Sequence, residues 1–457
     1  MSEQSLQAAI ERAGGAVEFL RNAQARPHTF PVRAEFSNWR SEQASWRESC
    51  ALLDQSHHMT DLFLKGPDAL GLLERLAVNS FANFAPGKAK QYVAVNGDGF
   101  MIGDAILFHL PDGSFDLVGH PMVLDWVEFH ALAEGAEVEL ERDENSIVRS
   151  SGPPRQYRFE LQGPNAGAIV EQLTGRELPD VKFFNMASFE IAGQRVDALR
   201  HGMAGQPGFE LFGPWAQGER IREALLQAGE RHGLVQVGSR AYSTANLESG
   251  WVPAPLPAIF SGEQTRAYRE WLPAARAGSL AGSLSAPRVE DYYLTPHALG
   301  YGKVIAFDHE FLGRQALEAM AGQRTGGTAT REKVTLVWNP SDVADAIGSA
   351  LEQGAAAKFI EFPKARYGLY QADTVLRDGE QIGVSHDCGY IYNERSFVSL
   401  ASVEYARAPV GSEVTVLWGE SPNSHKPAVE PHTQVEIRAT VAPAPFASSV
   451  RSSYRSA

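Results

Sequence analysis

The first apolar pattern of the chain lies in residues 1–25. Leu6, Ile10, Val17 and Leu20 recur there at helical spacing. Because an α-helix repeats every 3.6 residues, this segment is predicted to form one helix with a buried face. Apolar and aromatic residues predict further helices over residues 40–48, 67–77 and 125–133 and near residues 341–352.

Strands are predicted where apolar residues alternate with polar ones or form short runs. Residues 49–66 predict a pair of strands. Residues 86–108 predict a hairpin, because the turn residues Gly97, Asp98 and Gly99 separate two apolar runs. Further strands are predicted in residues 157–166, which run on into a helix, in residues 205–214 and in residues 233–237.

The C-terminal quarter has a different pattern. Its short alternating segments are typical of a small antiparallel β-barrel, and they lie at residues 333–338, 376–384, 398–404 and 414–418. The polar residues 323–331 are the best domain boundary. We therefore predict a main region over residues 1–330 with two intertwined subdomains, a barrel over residues 331–443, and a tail over residues 444–457 that is disordered at its end. Within the main region, residues 261–300 form an Ala- and Gly-rich insertion that could act as a lid.

The stretch after the short strand 233–237 is the most informative one. Residues 238–251 predict a short helical segment that carries one phenol, Tyr242, and one indole, Trp251. The Pro-rich residues 252–257 end it, since proline neither continues a helix nor pairs in a central strand. On composition alone, the simpler interpretation is a packed helix whose two large side chains belong to the core.

Composition and charge narrow the classes of function. With 457 residues, 44% of them hydrophobic and 21% charged, the chain has ordinary globular composition and enough length for two or three domains. Its net charge of −14 argues against nucleic acid or an anionic membrane as a partner. The N-terminus lacks the form of a signal peptide, no apolar run reaches ~18 residues, and Cys50 and Cys388 form no motif. We therefore expect a cytoplasmic protein.

Two adjacent histidines, His57 and His58, invite comparison with a metal site. Successive residues of a strand face opposite sides, however, and no third ligand is spaced nearby. We therefore predict no metal site, and expect one histidine to line a functional site while the other faces solvent.

Four ordered motifs resemble the aminomethyltransferase family, which comprises the T-protein of the glycine cleavage system and its relatives. They lie in residues 49–66, 86–108, 199–214 and 238–259. Together they extend the resemblance over nearly the whole chain. The resemblance implies an α+β fold in which antiparallel sheets with flanking helices bind folate, followed by the C-terminal barrel.

One residue indicates which branch of that family the chain resembles. Tyr242 stands where the family usually has arginine, and the chain reads Gly-Ser-Arg-Ala-Tyr at residues 238–242 and Leu-Glu-Ser-Gly-Trp at residues 247–251. This is similar to the tetrahydrofolate-dependent aromatic O-demethylases, which act on vanillate, syringate or 3-O-methylgallate from lignin. Gly103 and Gly119 replace the family's Asp and Asn, which fits a substrate without an ammonium group.

The resemblance also implies roles for individual residues. Tyr242 would act on the methyl-ether oxygen of the substrate. The residues implied to orient the methoxybenzoate are Phe30, Gln55, His58 and His120. The residues implied to bind tetrahydrofolate are Gln91, Tyr92, Val118, Glu210 and Trp251.

Glu210 has a physical reason of its own for such a role. It lies in an alternating apolar strand, so burial of its carboxylate would require a partner. The N–H edge of a pterin can supply a charge-assisted bidentate partner. A structural salt bridge is the alternative for this residue.

The implied reaction moves a methyl group from an aryl ether to N5 of tetrahydrofolate, the co-substrate. Phenoxide is a poor leaving group, so the ether oxygen needs a proton donor, the ring must be positioned, and water must be excluded. A neutral tyrosine is a suitable donor. The alternatives are aminomethyl or methylamine transfer and a non-catalytic folate-binding protein. We expect small-molecule partners only and a monomer or homodimer.

Overall fold

The computed structural model describes residues 4–24, 30–325, 331–420 and 424–452. Its α-helices are α1 (Leu6–Ala13), α2 (Ala16–Asn22), α3 (Trp39–Glu48), α4 (Ala69–Arg75), α5 (Pro121–Glu134), α6 (Ala166–Thr174), α7 (Gly218–Gly229), α8 (Ser239–Tyr242), α9 (Ala245–Ser249), α10 (Arg266–Trp271), α11 (Arg314–Thr325), α12 (Pro340–Gly348) and α13 (Ser448–Ser452).

The strands of the described residues are β1 (Cys50–Asp54), β2 (Thr60–Lys65), β3 (Lys88–Val95), β4 (Met101–His109), β5 (Phe115–Gly119), β6 (Glu139–Asp143), β7 (Gln156–Gln162), β8 (Met186–Ile191), β9 (Gln194–Arg200), β10 (Gly208–Pro214), β11 (Leu234–Val237), β12 (Leu280–Ala281), β13 (Arg331–Trp338), β14 (Lys364–Ala365), β15 (Tyr370–Gln371), β16 (Asp373–Arg377), β17 (Glu380–Ile391), β18 (Ser396–Glu404), β19 (Glu413–Trp418) and β20 (Val435–Ala442). The predicted α+β class is confirmed.

A six-stranded sheet has the order β11-β1-β7-β10-β9-β8, in which β1 and β11 are parallel and the other pairs antiparallel. Alternation along β7 and β10 divides its side chains between two faces. Phe159 and Leu211 pack under α6 and α7 in one hydrophobic cluster. Arg158, Glu160 and Glu210 therefore point to the opposite face, although all three are buried.

A five-stranded antiparallel sheet has the order β3-β4-β5-β2-β6. On one face, Tyr92 and Leu107 join a large core with α4 and α5. On the other face, Phe108 and Val118 meet Phe212 of the six-stranded sheet. The two sheets therefore face each other, and the charged face of the first lies between them.

The predicted C-terminal barrel is present. Strands β17, β16, β19, β20, β13 and β18 pair in that order, and β18 pairs back with β17, which closes six antiparallel strands. The strand predicted over residues 376–384 is wrong, because a turn at Asp378 and Gly379 divides it between β16 and β17. The division into domains at residues 330 and 443 stays a prediction.

The strand pair predicted over residues 49–66 is also wrong in one respect. Strands β1 and β2 form, but β1 belongs to the six-stranded sheet and β2 to the five-stranded sheet. The turn between them, residues 55–59, therefore crosses from one sheet to the other. His57 and His58 lie in this turn and not in a strand.

Two further segments differ from the predictions. The N-terminal helix is broken into α1 and α2, because Gly14 adopts a left-handed conformation with φ of 81° and caps α1. In the 261–300 insertion, Tyr268 is buried against Trp126 and Phe129, with ring centroids 5.0 and 5.2 Å away. The insertion thus contributes to the core of the five-stranded sheet.

The C-terminal tail is partly described by the structure. In the tail, residues 448–452 form α13, where Val450 is buried, and residues 453–457 lie outside the described residues. The boundary segment 323–331 falls partly outside them as well. No helix in the described part of the chain is long and apolar enough to cross a membrane.

Candidate active site

Tyr242 and His58 form the centre of the candidate site. A hydrogen bond of 2.6 Å joins the Tyr242 hydroxyl to His58 Nε2, and the two rings meet edge to face at 5.0 Å. Tyr242 ends the short helix α8, which follows β11, while His58 lies in the turn after β1, and β1 and β11 are neighbours in one sheet. The sheet therefore brings together two residues 184 positions apart.

Phe30 and Gln55 complete this group. The Phe30 ring meets the His58 ring edge to face at 5.8 Å. Gln55 is buried beside the Tyr242 hydroxyl, and its side-chain contact there lowers the Tyr242 pKa against the larger effect of burial. By strict geometry its Nε2 has no acceptor among the described residues. A buried amide N–H without an acceptor is costly, so an oxygen of a bound ligand would satisfy it. Three of the four residues predicted for the substrate thus lie with the predicted acid.

Burial keeps both central groups neutral. It raises the pKa of Tyr242 well above its ordinary value, and the carboxylates of Glu160 and Glu210 raise it further. Burial lowers the pKa of His58 to about 4, against an opposing backbone contact with Gln55. At pH 7 the phenol is therefore protonated and the imidazole uncharged.

A second group gathers on Asp104, which lies in β4 of the five-stranded sheet. The Trp251 indole donates to Asp104 Oδ2 at 2.9 Å, and Gln91 Nε2 donates to the same oxygen. Burial raises the pKa of Asp104 to about 6, although the donors Trp251, Tyr301 and Gln91 lower it. Two of the residues predicted to bind folate are therefore joined through a carboxylate.

The other predicted residues lie in different surroundings. Tyr92 is fully buried in the core, where its hydroxyl donates to the Leu73 carbonyl at 3.1 Å. Because neighbours in a strand face opposite sides, the side chain of Tyr92 points away from the face that carries Gln91. The two side chains therefore face different layers of the structure, and folate binding by either residue stays a prediction. Val118 lies in the layer between the two sheets.

His120 lies at the start of α5. Its Nδ1 accepts the Met122 N–H at 3.4 Å, and the residue lines a small cavity with Gly103, Asp104 and Pro253. The structure therefore brings His120 to the Asp104 side of the site.

Arg158 connects the two sheets, a role that was not predicted from the sequence. Its guanidinium donates to Glu210 at 2.8 Å, Asp116 at 2.7 Å and Asp61 at 2.5 Å, and it is 4% exposed. Burial raises the pKa of Asp116 well above its usual range, and the adjacent Asp61 raises it further. The signal in the sequence was a strand in which Arg158 and Glu160 alternate with apolar residues.

Glu210 therefore forms a structural salt bridge with Arg158, which was the alternative to pterin binding. Arg158 takes only Glu210 Oε1, and burial still raises the Glu210 pKa. Glu160 faces Glu210 across the strand pair, and Glu160, His201 and Glu210 offer ligand atoms within 4.8 Å of one another. Pterin binding by Glu210 stays a prediction, since a carboxylate oxygen can accept more than one donor.

Glu248 of the Leu-Glu-Ser-Gly-Trp motif has a structural role. Its carboxylate is 1% exposed and receives Arg47 at 2.7 Å, Asn393 at 3.0 Å and Trp46 at 3.4 Å. These partners belong to α3 and to the loop after β17. The glutamate therefore fixes helix α9 between the main region and the barrel.

Comparison with known proteins identifies the family. The family model described as the GCVT N-terminal domain matches residues 8–254, more than half of the chain. The chain belongs to the aminomethyltransferase (GCVT) family. A syringate O-demethylase of Sphingobium sp. is 48% identical over 98% of this chain and 97% of its own length. A sesamin methylene transferase of Sinomonas sp. is 29% identical over 83% of this chain and 82% of its own length.

A solved structure of this family has the same fold. The glycine cleavage system aminomethyltransferase T from Bartonella henselae covers 92% of this chain and 91% of its own, with a TM-score of 0.59 and 19% identity. These findings confirm the predicted family and fold. With the two curated relatives, they also confirm the prediction of an enzyme that transfers a methyl group and uses tetrahydrofolate as the acceptor.

The residues of the site fit this co-substrate. A reduced pterin presents several N–H donors, and two buried carboxylates with raised pKa, Asp104 and Glu210, offer acceptors that a donor would stabilise. The Trp251 indole beside Asp104 offers an aromatic surface. When bound, tetrahydrofolate supplies the nitrogen that accepts the methyl group. The protein supplies a neutral phenol, a neutral imidazole and a buried amide donor.

Proposed function

We propose that this member of the aminomethyltransferase family is an O-demethylase of methoxylated aromatic acids. Syringate is the first candidate substrate, because the relative that is 48% identical over nearly the whole chain is a syringate O-demethylase. Vanillate and 3-O-methylgallate are the other candidates. The products are a phenol and 5-methyltetrahydrofolate. We further propose that the enzyme acts in the cytoplasm as a monomer or homodimer.

One observation carries the proposal: a protonated phenol, Tyr242, stands where the family usually has arginine, and it is held by His58. An aryl ether breaks only if charge on the leaving oxygen is met by a donor. Tyr242 donates to that oxygen, and His58 fixes the hydroxyl. Gln55 provides a second N–H that lacks a regular acceptor among the described residues. Phe30 packs on His58 and covers the aromatic ring.

The role of His120 follows from chemistry and position. An aromatic acid carries a carboxylate, and an acidic protein must offer its few cationic or N–H groups locally. His120 lies beside the Asp104 group, and we propose that it orients the acid end of the substrate. Gln91, Glu210, Trp251 and the main chain around Val118 would hold tetrahydrofolate.

The test is an anaerobic incubation with tetrahydrofolate and each of three acids labelled with ¹³C in the methoxy carbon: syringate, vanillate and 3-O-methylgallate. We expect labelled 5-methyltetrahydrofolate and the demethylated phenol in equal amounts by mass spectrometry. The ranking of initial rates identifies the substrate. The same acid without tetrahydrofolate is the control and should not react.

Two results would contradict the proposal. Tetrahydrofolate binding without reaction of any methoxybenzoate, together with turnover of dimethylglycine, would favour amine substrates. Absence of tetrahydrofolate binding would remove the co-substrate and with it the assignment of the site.

A further inference from the structure

The turn that carries Trp251 is held by residues of the C-terminal barrel. Asn246 of α9 is 7% exposed, and its Nδ2 donates to the Trp251 carbonyl at 3.0 Å and to Asp387 Oδ2 at 2.6 Å. Its Oδ1 accepts the Lys364 ammonium at 3.1 Å. Lys364 lies in β14 and Asp387 in β17. One amide thus joins Trp251 to two charged residues of the barrel.

The Lys364–Asp387 pair determines the orientation of this amide. The two charges are 2.5 Å apart, and their side chains are only 11% and 10% exposed. An ammonium only donates and a carboxylate only accepts. The oxygen of Asn246 must therefore face Lys364, and its nitrogen must face Asp387 and the Trp251 carbonyl. A reversed amide would lose all three contacts.

A second barrel contact holds the same turn. Lys333 of β13 donates to the Gly250 carbonyl at 2.6 Å. The Trp251 N–H donates to the Asn246 carbonyl at 2.9 Å. The main chain of residues 250 and 251 is therefore fixed from the barrel, while the indole N–H reaches across to Asp104 of the five-stranded sheet.

We propose that Lys364 and Asp387 are positioning residues for Trp251, so that the barrel completes the tetrahydrofolate site without touching the co-substrate. The inference rests on the proposed function in one respect, the contact of Trp251 with tetrahydrofolate. It assigns to this pair a part in co-substrate affinity and none in substrate binding, because its described hydrogen bonds and ion pair join it to Asn246 and not to Tyr242, His58 or Gln55.

The test replaces the pair by apolar residues of similar size, Lys364→Met with Asp387→Leu. Replacing both residues leaves no unpaired buried charge. Such a charge would destabilise the folded protein as a whole and would obscure any effect on Trp251. We expect the Kd for tetrahydrofolate, measured by anaerobic calorimetry, to rise about tenfold, which corresponds to about 1.4 kcal/mol. The KM for the methoxybenzoate and kcat at saturating tetrahydrofolate should be unchanged.

The matched control is a second buried pair of the barrel, Lys358 and Glu420, whose side chains are 0% and 1% exposed and which are also hydrogen-bonded. This pair contacts the main chain of Gly282 and not the Trp251 turn. Lys358→Met with Glu420→Leu should leave the Kd for tetrahydrofolate unchanged, whatever it does to the melting temperature. A rise equal to that of the test variant would overturn the proposal, because general loosening would explain both.

A spectroscopic measurement reports on Trp251 directly. The protein has eight tryptophans, and 5-fluorotryptophan labelling should give one ¹⁹F resonance for each, with Trp251 assigned by its absence in Trp251→Phe. The Lys364/Asp387 variant should shift or broaden that resonance, and the Lys358/Glu420 variant should not.

The same variant separates this proposal from the proposed function. If Trp251→Phe weakens tetrahydrofolate binding and the Lys364/Asp387 variant does not, the positioning role is wrong while the folate site stands. If Trp251→Phe has no effect on the Kd, both the predicted contact of Trp251 and the inference are overturned, although O-demethylation can still be established by the labelled products.

Discussion

At the scale of single residues, the proposed mechanism depends on two titratable groups, Tyr242 and His58, in their neutral forms. Burial raises the pKa of Tyr242 and lowers that of His58 to about 4. A phenolate would repel the negative charge that develops on a leaving aryl oxygen, whereas a phenol donates to it. His58, being uncharged near pH 7, can hold the hydroxyl without taking its proton permanently.

We therefore expect Tyr242→Phe to lower kcat by about 100-fold or more, the range of a lost general acid. Phenylalanine keeps the edge-to-face ring contact with His58, so the site should stay intact. The Kd for tetrahydrofolate, measured by anaerobic calorimetry, should not change. Retention of wild-type turnover would show that Tyr242 is not the donor.

Tyr92→Phe is the matched control for this variant. It removes a hydroxyl whose only described contact is the Leu73 carbonyl at 3.1 Å, in the core below the five-stranded sheet. We expect wild-type kcat and an unchanged Kd for tetrahydrofolate. A weaker Kd would support the role in the folate site that the sequence resemblance implies for Tyr92.

Individual residues show what the sequence could predict. Tyr242, His58 and Trp251 could be named as candidate site residues because they lie in, or depart from, motifs of the family. Gln91 and Tyr92 were both assigned to one site, although strand alternation allows only one of them to face it. Arg158 was missed because a buried arginine becomes visible only when its three carboxylates, from three other strands, are brought together.

At the scale of elements, a short segment fixes the start of helix α8, which carries Tyr242. Residues 33–37 run across the N-terminus of α8, where Ser239 and Arg240 donate their N–H groups to the carbonyls of this segment. The buried Glu42 accepts the Phe36 N–H at 2.7 Å and the Gly238 N–H at 2.9 Å. One carboxylate therefore ties the segment that leads from Phe30 to the helix that carries Tyr242.

Gly238→Ala should push the segment 33–37 away from the N-terminus of α8. A Cβ at this position would lie 2.3 Å from the Ala34 carbonyl oxygen and 2.7 Å from the Glu35 Cα, so main chain must move. We expect a loss of about 2 kcal/mol or more in the free energy of unfolding, in the range of overpacked sites. The KM for the methoxybenzoate should rise, because Phe30 is displaced. Urea denaturation and initial rates measure the two effects.

Gly71→Ala serves as the comparison for that variant. Gly71 lies inside α4, and a Cβ there would have nothing within 4 Å. Alanine is the better helix former by up to about 1 kcal/mol, so this variant should be at least as stable as the wild type. Equal stability of the two variants would mean that residues 33–37 move aside at no cost.

At the scale of the whole molecule, the sequence predicted the class of fold and the barrel, but not the distribution of strands between sheets. Local pattern assigned β1 and β2 to one pair because they are neighbours in the chain. Their side chains pack in two different layers. The strands that pair with β1 are β7 and β11, which lie more than 90 residues further along the chain, so local sequence cannot predict this pairing. The site residues in the turn between the sheets could therefore be named but not placed.

Buried ionisable groups also act on the stability of the whole chain. Burial lowers the pKa of His386 to about 4 and raises the pKa of Asp104 and Asp373 to about 6. The folded state binds fewer protons than the unfolded state at the histidine and more at the carboxyls between pH 4 and 6. Their contributions therefore have opposite signs, and only a comparison of variants separates them.

His386→Gln isolates the contribution of the histidine. His386 is buried in β17 with Ser402 as its partner at 3.1 Å, and glutamine can keep that hydrogen bond. Below pH 6.5 the unfolded chain protonates this imidazole while the folded chain resists until pH 4, so the wild type loses stability as pH falls through that window. Between pH 7 and pH 4.5 we expect the wild type to lose about 2–3 kcal/mol more than the variant in urea denaturation. His425→Gln, at an exposed position, should behave as the wild type. If the free energy of unfolding of wild type and His386→Gln changed with pH in parallel, the pKa of His386 would not be lowered in the folded protein.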